Sequence, residues 1–349
     1  MPHPDRRLVL AGLATLAIPR GAWAAAIRDG AGREIAIPAR VERVFPAGPP
    51  AAIQLYTLAP DLLLGWPRAN GPEELPFLLP DIGNKPQIGR ITGRGNSANL
   101  EAVLTLKPDL IVDAGSTGRS YVELAERVQG QTGIPYALLD GRFEATPASY
   151  RILGQLTGRM ERAETLARWC ETAMTVIRGR VATIPAEQRP SVYYARGPRG
   201  LETGLGGSIN VETLSFVGAR NVAAEQPGNG LAQVSGLAQV SLEQVMAWDP
   251  EVIVTIDPGF AVSVHTDPGW ASIRAVKAGR VHLSPKLPFG WVDFPPSVNR
   301  MVGLWWLAKL LYPAQFPEDI RVIARDFHTL FYQVTPSEAQ LDLILSGRG

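Results

Sequence analysis

The pattern of apolar and polar positions repeats in two stretches of the chain, residues 99–112 and 241–254. In each stretch apolar residues recur at helical spacing for two turns, a proline follows, and branched apolar residues close the stretch. Asn99 and Ser241 are good N-caps, and a glutamate two positions later suits the positive end of the helix dipole. The proline ends the helix and the closing run predicts a buried strand, so each stretch is predicted to be one helix–strand unit.

A helix–strand unit that occurs twice predicts two lobes of similar fold, although two independent units in one large α/β protein would give the same pattern. The residues before the first copy also indicate parallel α/β structure, because a strand over 41–45, a helix through Leu58 and a strand over 62–65 follow one another closely. The fold class predicted is α/β, with two similar lobes built on central, mostly parallel sheets.

Two helical patterns lie between the copies, over residues 147–157 and 161–182, and Gly158 separates them. The second is amphipathic, and about 22 residues at 1.5 Å each span roughly 33 Å, the length of a small domain. Because it lies between the two copies, we assign it to the connection between the predicted lobes. The predicted division is a signal peptide over 1–24, an N-terminal lobe over 25–143, connecting helices over 144–185 and a C-terminal lobe over 186–349.

The first residues have the pattern of a signal peptide. Arg6 and Arg7 precede a short apolar run over residues 8–18, and a small-x-small site ends at Ala24. The run is too short to span a bilayer stably, and the paired arginines leave both the Sec and the twin-arginine routes open. No cysteine follows the site, which argues against a lipoprotein anchor. We therefore predict a soluble periplasmic protein, cleaved near Ala24.

Composition and charge exclude several classes of function. The net charge is +1, without the basic excess of a nucleic-acid-binding protein. The chain has one cysteine, Cys170, predicted to be a buried thiol, and four scattered histidines, of which His265 and His282 are too few for a metal site. It has no serine nucleophile elbow, no HExxH motif and no paired cysteines, so we predict neither an enzyme nor a bound metal or cofactor.

With these motifs in place, the chain resembles the class III periplasmic binding proteins of ABC importers for iron-siderophores, haem and vitamin B12. The resemblance lies mainly in the two repeated stretches and extends over most of the mature chain as scattered motifs. It implies that Glu101 and Glu243 are carboxylates on the lobe surfaces that dock on arginines of the membrane permease. It also implies that the permease and its ATPase are the partners, and that one long helix joins the lobes with the ligand cleft between them. Such a rigid connector favours small closure motions, and the protein is predicted to be a monomer.

Ligands of parallel α/β proteins gather at the carboxyl ends of the strands, and the loops there supply the candidate ligand-binding residues. Arginines could neutralise an anionic ligand, and aromatic rings could stack on a flat one. The aromatic residues of the loop over 285–297 could equally cap the core of their lobe. The candidates are Trp66, Arg90, Ser116, Thr117, Tyr194, Arg196, Arg199, Phe289 and Trp291.

A metal chelate is the predicted ligand, and a ferric siderophore comes first because it is frequent in the resembled family. Vitamin B12, haem or an oxyanion such as molybdate would suit the same scaffold. An oxyanion would favour the Gly-Arg loops and the hydroxyls of Ser116, Thr117 and Ser208 over the aromatic rings. An exported enzyme or an interaction module on this fold is the alternative from another class.

Overall fold

The computed structural model describes residues 23–93, 99–225 and 236–348. The predicted signal peptide lies outside these residues except for its last two, which belong to the first strand, so cleavage near Ala24 stays a prediction. Among the described residues, no helix is both long enough and apolar enough to cross a membrane.

The strands are short and fall into two parallel sheets and two antiparallel pairs. In chain order they are β1 Trp23–Arg28, β2 Glu34–Pro38, β3 Val44–Pro46, β4 Leu110–Gly115, β5 Tyr136–Asp140, β6 Ser191–Ala195, β7 Glu202–Gly204, β8 Arg220–Asn221, β9 Leu237–Gln239, β10 Val252–Thr255 and β11 Val281–Leu283.

The α-helices of the described ranges vary from single turns to one helix of 23 residues. They are α1 Pro49–Leu58, α2 Pro80–Gly83, α3 Leu100–Thr105, α4 Arg119–Thr132, α5 Thr146–Thr157, α6 Met160–Ala182, α7 Glu212–Phe216, α8 Leu242–Trp248, α9 Pro258–Ser263, α10 Arg274–Lys277, α11 Arg300–Leu311, α12 Ile320–Phe327 and α13 Glu338–Leu345. A π-helical turn over His328–Tyr332 continues α12.

The two parallel sheets have the same strand order. In the first lobe β3, β4 and β5 pair in that order, and a parallel bridge between Val44 and Leu63 adds a fourth position beside β3. In the second lobe the order is β11, β10, β6 and β8. Numbered within each lobe, both sheets read 2-1-3-4, which confirms the predicted α/β fold with two similar lobes.

The repeated stretches occupy equivalent places in the two lobes, as α3 with β4 and as α8 with β10. The N-caps are as predicted: Asn99 Oδ1 accepts a hydrogen bond from the Ala102 amide at 2.7 Å, and Ser241 Oγ accepts one from the Gln244 amide at 3.2 Å. These side chains satisfy amide groups that have no partner within the helix. In each lobe the strand of the repeated unit is the third strand of the sheet, and it pairs with the first strand.

An acidic side chain ties the third strand to the first in both lobes. Asp109 Oδ2 accepts from the Arg43 amide at 2.9 Å, just before β3. Glu251 Oε2 accepts from the Ser191 amide at 2.7 Å, at the start of β6, and this bond is the main reason why the pKa of Glu251 is lowered. The two residues stand at equivalent positions of the repeat, so the duplication extends to side-chain contacts.

Helices α5 and α6 connect the lobes, as predicted, and they turn sharply at Gly158. This glycine has φ of +69°, a conformation that other residues rarely adopt. Cys170 is a free thiol on the buried face of α6, and burial raises its pKa. The largest cluster of buried apolar side chains includes residues of both lobes, such as Leu55 of α1 and Met301 of α11.

The chain returns to the first lobe after α11. The Tyr56 hydroxyl donates to the Tyr332 carbonyl oxygen at 3.0 Å, and the Phe77 and His328 rings meet at 6.0 Å. The segment from α12 to α13 therefore packs on the N-terminal lobe, although it follows the second lobe in sequence. The domain bounds drawn from the sequence stay a prediction.

Candidate functional site

The loop over residues 285–297 of the second lobe contacts the first lobe. It follows β11 at the carboxyl edge of the second sheet, and its residues Phe289 and Pro295 line a cavity together with residues of the first lobe. The cavity has a volume of about 30 Å³, far smaller than the roughly 300–1,000 Å³ of typical ligand pockets. Its remaining lining residues are Pro49, Ala52, Ile53, Trp66, Pro67, Arg68 and Asn70.

The aromatic candidates are buried against one another or within the lobe. Trp66 is 2% exposed, its Nε1 donates to the Ile82 carbonyl oxygen at 2.8 Å, and its ring centroid is 5.8 Å from that of Phe289. Phe289 is buried and Trp291 has no exposed surface. Phe294 in the same loop is 71% exposed. In this conformation Phe294 is thus the aromatic side chain of the loop that offers a face to solvent.

The polar candidates of the first lobe lie on two loops at the carboxyl edge of its sheet. Ser116 is exposed and its hydroxyl oxygen accepts from the Gly118 amide at 3.1 Å, while Thr117 is half-buried. Arg90 is half-buried at the end of another loop. Their contact with a ligand stays a prediction.

In the second lobe the structure brings two candidates together and separates a third from them. Tyr194 ends in a hydroxyl that donates to Asp293 Oδ2 at 3.0 Å, and Arg196 Nη1 lies 3.2 Å from the same oxygen. Both side chains are buried, whereas Arg199 is exposed further along the loop. Burial raises the pKa of Tyr194, so the hydroxyl keeps its proton.

Asp293 is the centre of this polar cluster, and sequence reasoning missed it. Besides Tyr194 and Arg196, it accepts a hydrogen bond from the Phe294 amide at 2.7 Å. In the amide orientation that satisfies both ends of its side chain, Asn210 donates to Asp293 at 3.0 and 3.1 Å and accepts from the Ser208 hydroxyl at 2.9 Å. Burial raises the pKa of Asp293, and the charge of Arg196 is the chief effect opposing that rise.

Arg196 is enclosed without being fully hydrogen-bonded. Its side chain is 8% exposed, and Nε and Nη1 make no hydrogen bond to any residue that the structure describes. Glu202 lies on its other side, with an oxygen 3.6 Å from Nε. The guanidinium therefore has charge partners but unused N–H donors, which is costly in a buried place and leaves capacity for another acceptor.

A second buried arginine joins the two lobes. Arg300 Nη1 donates to Glu212 Oε2 at 2.8 Å, and its Nη2 donates to the Gly141 carbonyl oxygen at 2.7 Å. Glu212 also accepts from the Phe143 amide at 2.8 Å. Because Gly141 and Phe143 follow β5 of the first lobe, the ion pair links the carboxyl edges of both sheets. An arginine at the start of an otherwise apolar helix was the sequence signal for this contact.

The first lobe has a buried carboxylate of its own at the end of its central strand. Asp113 accepts hydrogen bonds from the Thr92 hydroxyl at 3.0 Å and the Tyr136 hydroxyl at 3.3 Å. Burial raises its pKa to about 6, and these hydrogen bonds oppose the rise. No sequence pattern distinguishes Asp113 from the apolar strand around it.

The two predicted docking carboxylates are exposed at equivalent positions. Glu101 lies in the first turn of α3 and Glu243 in the first turn of α8, each two residues after its N-cap. An apolar side chain one turn further on is also exposed in each helix, Leu104 at 44% and Met246 at 43%. Both helices run antiparallel to the strand that follows, so their first turns lie toward the carboxyl edge of each sheet.

A larger cavity lies elsewhere. It has a volume of about 640 Å³ and is bounded by the chain before β3, by the β1–β2 ribbon and by the turn between α5 and α6. This is the amino edge of the first sheet, and no predicted ligand-binding residue lines it. We place the candidate site at the lobe interface, where the buried charges are. No group of three or more His, Cys, Asp and Glu side chains within the described ranges could hold a metal ion.

Comparison with known proteins gives relatives that match in sequence and in fold. The molybdate-binding protein MolA of Haemophilus influenzae is 26% identical over 282 residues, which are 74% of this chain and 75% of MolA. A cobalamin-binding protein of Halobacterium salinarum is 26% identical over 234 residues, 65% of this chain and 57% of that protein.

Two solved structures superpose on most of the chain. The ABC transporter solute-binding protein of Sulfurospirillum deleyianum has a TM-score of 0.83 at 30% identity, covering 91% of this chain and 98% of the other. MolA bound to molybdate has a TM-score of 0.74 at 23% identity, covering 90% of this chain and 99% of the other, and shows the shared fold.

The profile of the periplasmic binding protein family matches residues 86–287, more than half of the chain. Its members and the structural neighbours are substrate-binding proteins rather than enzymes, as the sequence predicted. A permease of an ABC importer and a small-molecule ligand are the partners that this membership implies. The chain thus belongs to the periplasmic binding protein family, as the substrate-binding component of an ABC importer.

Proposed function

We propose that this protein captures a small oxyanion of the molybdate class between its lobes and delivers it to the permease of its importer. The observation that carries the proposal is Arg196, a buried guanidinium just after β6 whose Nε and Nη1 make no hydrogen bond to a described residue. An oxyanion presents acceptor oxygens in several directions and pairs well with such a fork of donors.

The state of the aromatic residues supports a small anion over a flat chelate. Trp66, Phe289 and Trp291 are buried, so stacking on a large ligand would first require them to leave their packing. The cavity at the interface is about 30 Å³, and admitting a tetrahedral oxyanion needs less opening than admitting a chelate several times larger. The relationship to MolA, which is described as molybdate-binding, points the same way.

A metal chelate, with a ferric siderophore first, is the second candidate. The exposed ring of Phe294 favours it, because a solvent-facing aromatic on a proline-stiffened loop can stack on a flat ligand. Vitamin B12 and haem belong to the same candidate class, and a relative described as cobalamin-binding supports it. Under this alternative Ser116 and Thr117 would matter less than the aromatic side chains.

Delivery completes the proposed function. We propose export to the periplasm as a soluble monomer, by the Sec or the twin-arginine route, with Glu101 and Glu243 docking on arginines of the permease. Both carboxylates are exposed and lie toward the cleft edge of their lobes, where one partner surface could contact both. The proposed lobes are residues 25–143 and 186–349, joined by the helices within 144–185.

Calorimetric titration separates the two ligand classes. Sodium molybdate, sodium sulfate, a ferric hydroxamate and cyanocobalamin are titrated into the wild-type protein and into Arg90→Ala, Arg196→Ala and Arg199→Ala. We expect molybdate to bind and Arg196→Ala to weaken it at least about tenfold, as for loss of a charged hydrogen bond.

Arg220→Ala is the matched control, because this exposed arginine stands at the amino edge of the second sheet. Its affinity for molybdate should equal that of the wild type. Binding of the ferric hydroxamate or the cobalamin without binding of any oxyanion would refute the oxyanion proposal and establish the chelate.

A further inference from the structure

The buried charges around Arg196 have a consequence for how an oxyanion enters, an inference that rests on the proposed function. We propose that Asp293 is the built-in counter-anion of Arg196, and that it takes up one proton from solvent when an oxyanion replaces it at the guanidinium. The carboxylate becomes a carboxylic acid, no other bond changes, and the bound anion becomes the charge partner of the arginine.

The first step of the argument is the loose geometry of the pair. Arg196 Nη1 is 3.2 Å from Asp293 Oδ2 without being aligned as a hydrogen bond, and Nε makes no hydrogen bond to a described residue. Both side chains are nearly fully buried, at 8% and 1% exposure. When another anion replaces the carboxylate in a pair held by charge alone, no aligned hydrogen bond is broken. The replacement therefore costs less free energy than in a bidentate pair. A new acceptor can therefore take the place of the carboxylate at the arginine.

The second step is what Asp293 loses. Burial disfavours its charge, and Arg196 is the main group that compensates. An oxyanion bound to the guanidinium offsets the positive charge of Arg196 and brings further negative charge close to the carboxylate. Ionised Asp293 would then be a buried charge without a sufficient partner, a state that proteins avoid by protonation.

The third step concerns the other groups around Asp293, which do not replace Arg196. Arg300 also favours its charge, but that arginine is engaged by Glu212. Glu202 faces Arg196 from the far side and adds negative charge. The Tyr194 hydroxyl, the Asn210 amide and the Phe294 amide donate hydrogen bonds, which a protonated carboxyl can still accept. Protonation thus removes the charge and keeps most of the contacts.

The test is titration of sodium molybdate at one pH in two buffers that differ in ionisation enthalpy. If binding takes up a proton, the observed heats for the wild-type protein differ in proportion to the protons taken from buffer. We expect uptake of up to about one proton, and an affinity that falls with rising pH by at most about tenfold per pH unit. Asp293→Asn should give equal heats in both buffers and an affinity independent of pH.

Asp113→Asn is the matched control, because Asp113 is also a buried carboxylate at a strand end but is hydrogen-bonded to hydroxyls. It should take up protons as the wild type does. Tyr194→Phe keeps the charge of Asp293 and should also retain proton uptake. Circular dichroism checks that each variant is folded, and equal heats for the wild type in the two buffers would overturn the inference even if Asp293→Asn does not fold.

The outcomes separate this inference from the function on which it rests. Molybdate binding with equal heats in both buffers would overturn the inference and leave the proposed function in place. Persistent proton uptake in Asp293→Asn, or its loss in Asp113→Asn, would overturn the assignment to Asp293. Failure of the wild-type protein to bind any oxyanion would overturn the proposed function and the inference with it.

Discussion

Lys107 and Asp249 occupy equivalent positions in the two lobes and share a left-handed backbone, with φ of +47° and +42°. Each stands directly before a proline, which disfavours the helical conformation of the preceding residue. The helix has to end there and the chain has to turn into the third strand of the sheet. The repetition of so unusual a conformation supports the duplication of the whole helix–strand unit.

The left-handed conformation predicts a different effect of glycine at the two positions. Lys107→Gly should raise the free energy of unfolding by about 1 kcal/mol, since glycine has no Cβ to strain there. Asp249→Gly should give no gain, because Asp249 Oδ1 accepts from the Arg274 amide at 2.7 Å and this bond would be lost. Urea unfolding of both variants measures the difference, and equal effects would contradict the role given to Asp249.

The docking proposal predicts a loss of transport without a loss of binding. Glu101→Ala combined with Glu243→Ala should lower uptake through the reconstituted importer about tenfold or more, because both charge contacts with the permease would be absent. Ligand affinity should stay at the wild-type value, since both carboxylates are exposed and neither lines the cavity between the lobes.

Glu187→Ala serves as the control for docking. Glu187 is an exposed carboxylate before β6, at the amino edge of the second sheet, and its removal should change neither uptake nor affinity. Wild-type uptake by the double variant would refute the docking assignment. A collapse of ligand affinity with the fold intact would place the two carboxylates in the cleft instead.

The raised pKa of Asp113 predicts that the protein loses stability as the pH rises through the titration range of this carboxyl group. Its pKa is raised to about 6 in the folded protein against 3.8 ordinarily, so the folded state binds more protons between these values. Stability should therefore fall as pH rises from about 4 to 6, by up to about 3 kcal/mol from this group. The difference in unfolding free energy between wild type and Asp113→Asn, measured across that range, should show this slope, and a constant difference would contradict it.

The lowered pKa of His328 predicts the opposite effect, a loss of stability as the pH falls. It is fully buried with no hydrogen bond to a described residue, and burial lowers its pKa from 6.5 to about 3. The unfolded state binds more protons between these values, so stability is lost as pH falls below 6.5, by about 3 kcal/mol at pH 4. His328→Phe should remove this loss and fit among Phe77, Phe327 and Tyr332.

Thermal melts of His328→Phe and the wild type at pH 7 and pH 4.5 test this prediction. The variant should gain on the wild type at the lower pH, because its ring cannot be protonated. An equal drop in both melting temperatures would mean that His328 is protonated in the folded protein or that other groups control acid stability.

Much of the fold could be predicted from local signals in the sequence. The N-caps Asn99 and Ser241, the prolines that follow and the apolar runs after them define the repeated unit, since capping, helix termination and burial act over a few residues. The same locality explains why the connecting helix was predicted with bounds close to Met160–Ala182. The resemblance to the family lay mainly in these units, and the comparisons confirmed the family.

The charges at the lobe interface were decided by tertiary structure. Asp293 and Arg300 lie far apart in sequence from Arg196 and Asn210, and no periodicity relates them. Whether an aromatic such as Trp291 faces solvent or the core also depends on packing from distant elements, because its loop has no regular pattern. The sequence by itself determined the two lobes and their repeated unit, through short-range chemistry. The pairing of the buried charges required the folded chain, since Coulomb interactions and burial depend on distance in space.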